Sequence, residues 1–260
     1  MRTIHVNDIE LAYHDEGVGQ PLLLVHAFPL SSGMWERQIA ALSPRYRVVA
    51  PDLRGFGTSP LGAGATSMDQ YADDLAGLLD QLGLRQVALG GLSMGGYIAF
   101  AFLRRYRERV SALILADTRS QPDTEEGRQG REKNARLVEE QGPGALADQM
   151  LPKLFSATAP PSLHAEARRL IEANEPRGIA AALRAMAARP DSTPLLSAID
   201  VPTLVIVGAE DALTPPSDAQ AMHKAIANSR LLELPGAGHL SNLEAPDRFS
   251  DAVAEMLRKT

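Results

Sequence analysis

Between Val87 and Phe100 the chain reads VALGGLSMGGYIAF, two apolar runs parted by glycines with one serine among them. Glycine has no Cβ, so placing it on both sides of a serine lets other backbone approach closely there. The run before the serine predicts a short buried strand over 86–90, and the run after it a helix over 94–106. Gly91-Leu92-Ser93-Met94-Gly95 thus matches G-x-S-x-G in a strand–turn–helix setting. In such a turn the serine backbone is strained, and positions two before and two after it have no room for a side chain. Gly96 further eases the packing of helix on sheet. A structural glycine turn explains the same letters without any chemistry, so the rest of the chain has to decide.

Short apolar runs bounded by turn residues recur at 22–25, 46–50, 110–116, 203–207 and 230–234, the pattern of buried parallel strands. Helical patterns lie between them, at 34–42, 67–82, 217–227 and 246–258. Strands near 3–6 and 9–14, parted by Asn7-Asp8, read as an opening hairpin, so the sheet should be mixed. The expectation is an α/β fold: a mostly parallel eight-stranded sheet with helices on both faces. The alternation breaks between residues 118 and 194, where Gly142-Pro143-Gly144, Pro160-Pro161 and Pro176 divide an Ala-, Arg- and Glu-rich stretch into about four helices. Residues 1–117 and 195–260 are therefore expected to form the core, with 118–194 an inserted helical cap over the C-terminal strand ends. A merely structural insertion is the competing reading.

Composition narrows the function. At 260 residues the chain can bury a large core and needs no metal or disulfide to hold it, and no cofactor is expected. The lack of cysteine excludes disulfides, thiolate metal sites and cysteine nucleophiles. A formal charge of −6 argues against nucleic acid as a partner, and Arg104, Arg105, Arg107 and Arg109 read as a solvated helix end. No apolar run approaches the roughly 20 residues that span a membrane. The opening MRTIHVNDIELAYHDEG alternates like a strand and shows no apolar signal core, so a cytoplasmic protein is expected.

A serine hydroxyl needs a base, and the base needs an orienting carboxylate. TLVIVGAEDALTPP sets Asp211 just after a strand, and ELPGAGHLSNLEAP sets His239 in a Gly-flanked loop after the next. Both belong at the C-terminal sheet edge with Ser93, in the order Ser, Asp, His. Asp211 could instead cap the following helix, and Glu210 is its immediate rival. His5, His14, His164 and His223 read as ordinary. Two N–H donors must face the developing oxyanion: Met94 at the helix start, and Phe28 in VHAFPLSS, whose ring would also line the acyl pocket. His26 reads as a brace for that loop, with direct chemistry the alternative.

These stretches together resemble the α/β-hydrolase family over nearly the whole chain: HAFP its oxyanion loop, PDLRGFGTS the loop after the next strand, GLSMGG its nucleophile elbow, GAEDALTP its acid turn and GAGHLSNLEAP its histidine loop. GLSMGG and LADTRSQPDTEEGR look most like enol-lactonases, such as 3-oxoadipate enol-lactonase, and small carboxylesterases. The resemblance implies the α/β-hydrolase fold, favours Asp211 over Glu210, and gives Asp52 and Arg54 loop-stabilising roles. Serine at 93, where dehalogenases and epoxide hydrolases carry Asp, disfavours those activities. Ala27 departs from the family's glycine, and alanine disfavours positive φ.

The expected function is hydrolysis of a small-molecule carboxylic ester or lactone through an acyl-enzyme on Ser93. Met150, Leu154, Phe155 and Met186 could roof the pocket with Phe28, though a cap-core role is as good a reading for each. Of the arginines at 119, 128, 131, 168, 169 and 184, one could bind a carboxylate, as the resemblance to enol-lactonases would require, but most read as solvated helix faces. An enol-lactonase, a C–C bond hydrolase and a cofactor-free perhydrolase or haloperoxidase are the alternatives; a ligand receptor on a hydrolase scaffold is the reading from another class.

Overall fold

The computed structural model describes residues 1–63 and 66–259. Eight strands, β1 (Arg2–Val6), β2 (Ile9–Glu16), β3 (Pro21–Val25), β4 (Arg47–Pro51), β5 (Val87–Leu92), β6 (Val110–Ala116), β7 (Thr203–Gly208) and β8 (Ser229–Leu234), form one sheet in the order β1-β2-β4-β3-β5-β6-β7-β8. β2 pairs antiparallel with both its neighbours; every other pairing is parallel. The hairpin turns at Asn7, whose φ of 53° suits asparagine.

Around the sheet lie α1 (Glu36–Leu42), α2 (Met68–Gln81), α3 (Met94–Tyr106), α4 (Glu125–Gln141), α5 (Pro143–Leu154), α6 (Pro161–Glu172), α7 (Pro176–Ala187), α8 (Pro216–Ala225), the single turn α9 (Ser241–Glu244) and α10 (Pro246–Leu257). Side chains alternate across each strand, so the sheet carries two cores. Leu23, Val25, Leu89, Leu113 and Val205 face α2, α3 and α8, while Leu22, Leu24, Ile114, Leu204 and Ile206 face α1 and α10. A sheet buried on both faces leaves its strand ends as the exposed rim for a ligand. The chain reverses direction of travel between β3 and β5, which opens a crevice at their C-terminal ends.

The four helices α4 to α7 stand between β6 and β7, with α4 against α7 and α5 against α6. Asn174 ties them to the sheet edge: its amide donates to the Pro29 carbonyl at 2.8 Å and its oxygen accepts from the Gly57 N–H at 2.7 Å. Arg37 and Glu166 add a two-pronged ion pair, each prong 2.7 Å long.

Candidate active site

Ser93 occupies the turn between β5 and α3 with φ 56° and ψ −113°, a region that side-chain-bearing residues seldom enter. Close approach enforces the glycines around it. A Cβ at position 91 would lie 2.2 Å from the Gly95 carbonyl oxygen, and one at 95 would lie 2.3 Å from that of Val25. No rotamer change could relieve such contacts, because the obstacles are backbone. The strained turn is tied down by neighbours. Ser93 N–H donates to the Ala116 carbonyl at 2.9 Å, and its own carbonyl accepts from Gly96 N–H and the Thr118 hydroxyl.

The Ser93 hydroxyl lies 2.9 Å from His239 Nε2, and His239 Nδ1 lies 2.8 Å from Asp211 Oδ2. An ionised carboxylate only accepts, so Nδ1 carries the proton, which leaves Nε2 free to accept from the serine. Asp211 is buried and Glu210 exposed, which removes the rival carboxylate from the site. Leu213 N–H, Thr214 N–H and the Thr214 hydroxyl also converge on Asp211, at 2.8, 3.0 and 2.7 Å. Burial alone would raise this carboxyl; the charge and hydrogen bond of His239, with the Thr214 bonds, outweigh it and hold it below its usual range. The histidine loop is anchored by Gly238 N–H to Glu244 at 2.6 Å and by Leu240 N–H to the Leu154 carbonyl at 2.9 Å.

A second buried carboxylate, Asp117 at the end of β6, joins the three loops. It accepts from Gly208 N–H at the foot of the acid turn (2.8 Å) and from the Ser241 hydroxyl beyond the histidine. Its neighbours Ala116 and Thr118 hold Ser93. Burial, reinforced by the charge of Asp211, raises the Asp117 carboxyl well above its ordinary value, and its hydrogen bonds offset this only in part.

The loop after β3 brings Phe28 to the same edge. Ala27 does not need the positive φ of a glycine: among described non-glycine residues that region holds Asn7, Ser93 and Asp117. The alanine is buried, with its N–H on Met34 Sδ. His26 Nε2 accepts from Leu53 N–H at 3.1 Å, so its Nδ1 holds the proton and donates to the Ala27 carbonyl at 3.0 Å. Burial drives its pKa down to about 4, against smaller opposing effects of Ala27 and Asp52. His26 braces the loop and does not reach Ser93. Asp52 accepts from Ser32 and Thr58, and Arg54 pairs with Asp74 and Asp8, so both are spent within the loops.

A family model described as the alpha/beta hydrolase fold matches residues 20–246. The chain belongs to the α/β-hydrolase family. This hydrolase is 30% identical to 3-oxoadipate enol-lactonase 2 of Acinetobacter baylyi, over 99% of its own length and 96% of the relative's. Among solved structures it is similar to a thermophilic esterase from Thermogutta terrifontis with malate bound, at 45% identity and TM-score 0.97, covering 100% and 99% of the two chains. It is also similar to the enol-lactonase of Burkholderia xenovorans, at 32% and 0.91, covering 99% and 100%. It is an esterase- and lactonase-like hydrolase.

Above the serine of this hydrolase is a cavity of about 210 Å³. Ser93, His239 and Thr214 form its floor, and Phe28, Met150, Leu183, Met186 and Leu213 its apolar wall. Tyr97, Arg119, Arg131, Asn134 and Lys153 form a polar wall. Of the four cap residues proposed from sequence, Met150 and Met186 line the cavity; Leu154 and Phe155 do not. They lie where α5 ends and crosses the histidine loop, Leu154 through its carbonyl and Phe155 through backbone against Gly238. The Phe155 ring turns away to pack on His164, with centroids 4.7 Å apart. Asp117 was missed because it acts between loops distant in sequence; Thr214 and Glu244 bond groups three and six residues away, in stretches that read as ordinary turns. Thr214, three residues after Asp211, left the one local trace, since a Thr there suits a side-chain-bonded turn. No helix of the described residues is long and apolar enough to cross a membrane, and none of their His, Asp and Glu side chains form a metal-binding group of three.

Proposed function

We propose that this hydrolase cleaves small carboxylic esters or lactones through an acyl-enzyme on Ser93. His239 Nε2 takes the hydroxyl proton as Ser93 Oγ attacks the carbonyl carbon, and Asp211 orients the imidazole and stabilises its cation. The oxyanion is held by the N–H groups of Met94 and Phe28; Met94 opens α3, where first-turn amides have no intrahelical acceptor and the helix dipole favours negative charge. His239 then returns the proton to the departing alkoxide. Water, deprotonated by the same imidazole, attacks the acyl carbon, and Ser93 recovers the proton as the acid leaves. In a lactone the alkoxide stays tethered, so one open-chain hydroxy acid results.

The observation that carries this reading is the hydrogen-bonded series from Ser93 Oγ through both His239 nitrogens to Asp211. The cap, residues 118–194, supplies the roof, and the small cavity suits short acyl chains. Steady-state hydrolysis of p-nitrophenyl butyrate tests it. Ser93→Ala should abolish turnover while melting like the parent; a variant that retained parental turnover would exclude the assignment.

A further inference from the structure

The polar wall of the cavity has no part in the steps above, yet it concentrates charge. Arg119, on the loop after β6, Arg131 on α4 and Lys153 on α5 line the space that Ser93 and His239 floor. Arg189, after α7, stands behind them with its guanidinium 4.1 Å over the Tyr97 ring. Against these four cations stand two carboxylates. Asp123 is buried and pairs with Arg119 at 3.2 Å, Arg189 at 2.8 Å and Arg131. Asp218 on α8 acts on Arg119 through its charge. Two positive charges are left over in a chain whose formal charge is −6.

The excess resides in particular groups. Lys153 has no hydrogen-bond or ion-pair partner among the described residues, although other cap cations such as Arg168 and Arg184 are paired. Arg119 shares Asp123 with Arg131 and Arg189 and meets the Tyr97 side chain, yet its Nε is buried without a partner. Arg131 is committed to Asp123 and Met186 Sδ. Cations gathered on one wall of a cleft give it a positive potential, which attracts and holds an anion that enters. We propose that the ester or lactone taken by this site carries an anionic group, with Lys153 and Arg119 as its specificity-determining partners. The carbon chain lies along Phe28, Leu183 and Met186. In a cavity of about 210 Å³, a carboxylate is the smallest such group that fits beside an acyl chain. The inference rests on Ser93 being the nucleophile, because it concerns the same cavity.

Two matched pairs of esters test it: mono-p-nitrophenyl glutarate against p-nitrophenyl valerate, with the charge on the acyl side, and 3-acetoxybenzoate against its methyl ester, with the charge on the leaving group. In at least one pair the charged member should be preferred about tenfold in kcat/KM, through KM. Lys153→Met and Arg119→Met should each reduce that ratio several-fold, as should 1 M salt. Because the ratio is read within one preparation, it does not depend on how much of a variant is folded. Equal turnover of both members in both pairs, or a preference that survives both substitutions, overturns the inference and leaves the serine mechanism intact. Absence of turnover on all four esters overturns the mechanism itself.

Discussion

The floor and the roof of the cavity are built by opposite means. On the floor, Asp211 and His239 are almost fully buried, and Asp211 receives several hydrogen bonds, two of them from backbone. On the roof, Lys153 is exposed and unpaired, Arg119 is part-exposed, and Met150 presents a flexible side chain. The floor is set by turns at strand ends, which cannot move without breaking the sheet. The roof is set by side chains on α4, α5 and α7, which can be exchanged with little effect on the sheet. In the proposed mechanism, chemistry is thereby separated from recognition. Floor substitutions should act on kcat, and roof substitutions on KM and on substrate ratios.

The largest test of that division is His239→Ala, expected to lower kcat by about 10⁶ on p-nitrophenyl butyrate with little change in KM. Asp211→Asn should follow at about 10⁴, since the amide favours the wrong imidazole tautomer. Asp117→Ala leaves Gly208 N–H and the Ser241 hydroxyl without their acceptor. It should lower kcat about 10²-fold through the loosened histidine loop, and unfolding in urea should show a loss of about 1–3 kcal/mol. Asp117→Asn, which keeps an acceptor for Gly208, should recover most of both. On the roof, Leu183→Ala should raise KM for neutral butyrate several-fold and leave kcat nearly unchanged, as steady-state kinetics would show.

A smaller effect concerns His26, which braces the floor and is held neutral. Its folded pKa, about 4, lies below the unfolded value near 6.5, so the unfolded chain binds a proton first as pH falls. Its contribution is therefore complete above pH 6.5 and is lost as pH drops through about 4, on the order of 3 kcal/mol in all. Urea unfolding across that window should show the decline, and His26→Gln should flatten it.

The same contrast explains what could be read from the chain. The glycines at 91 and 95, the serine between them, and Asp211 and His239 just after strands carry local signatures, because a strand-to-helix turn restricts residue type at fixed offsets. Six of the eight strands were legible for a similar reason, as short apolar runs with turn residues between, and the first two as an alternating hairpin around Asn7-Asp8. Asp117 was not: LADT reads as an ordinary strand end, and its task exists only once β6 and β7 lie side by side. Leu154 and Phe155 are as apolar as Met150 and Met186, and only the path of α5 across the histidine loop separates loop support from cavity lining. Arg119 and Lys153 likewise look like any solvated cation until their place on the cavity wall is visible in three dimensions.

The most direct measurement is the site and rate of covalent labelling by a fluorophosphonate, mapped by mass spectrometry of the digested protein. A single adduct on the Ser93 hydroxyl, formed rapidly by the parent and orders of magnitude more slowly by His239→Ala, is the expected result. An adduct on another residue, or labelling of Ser93 at the parental rate without the imidazole, would contradict it.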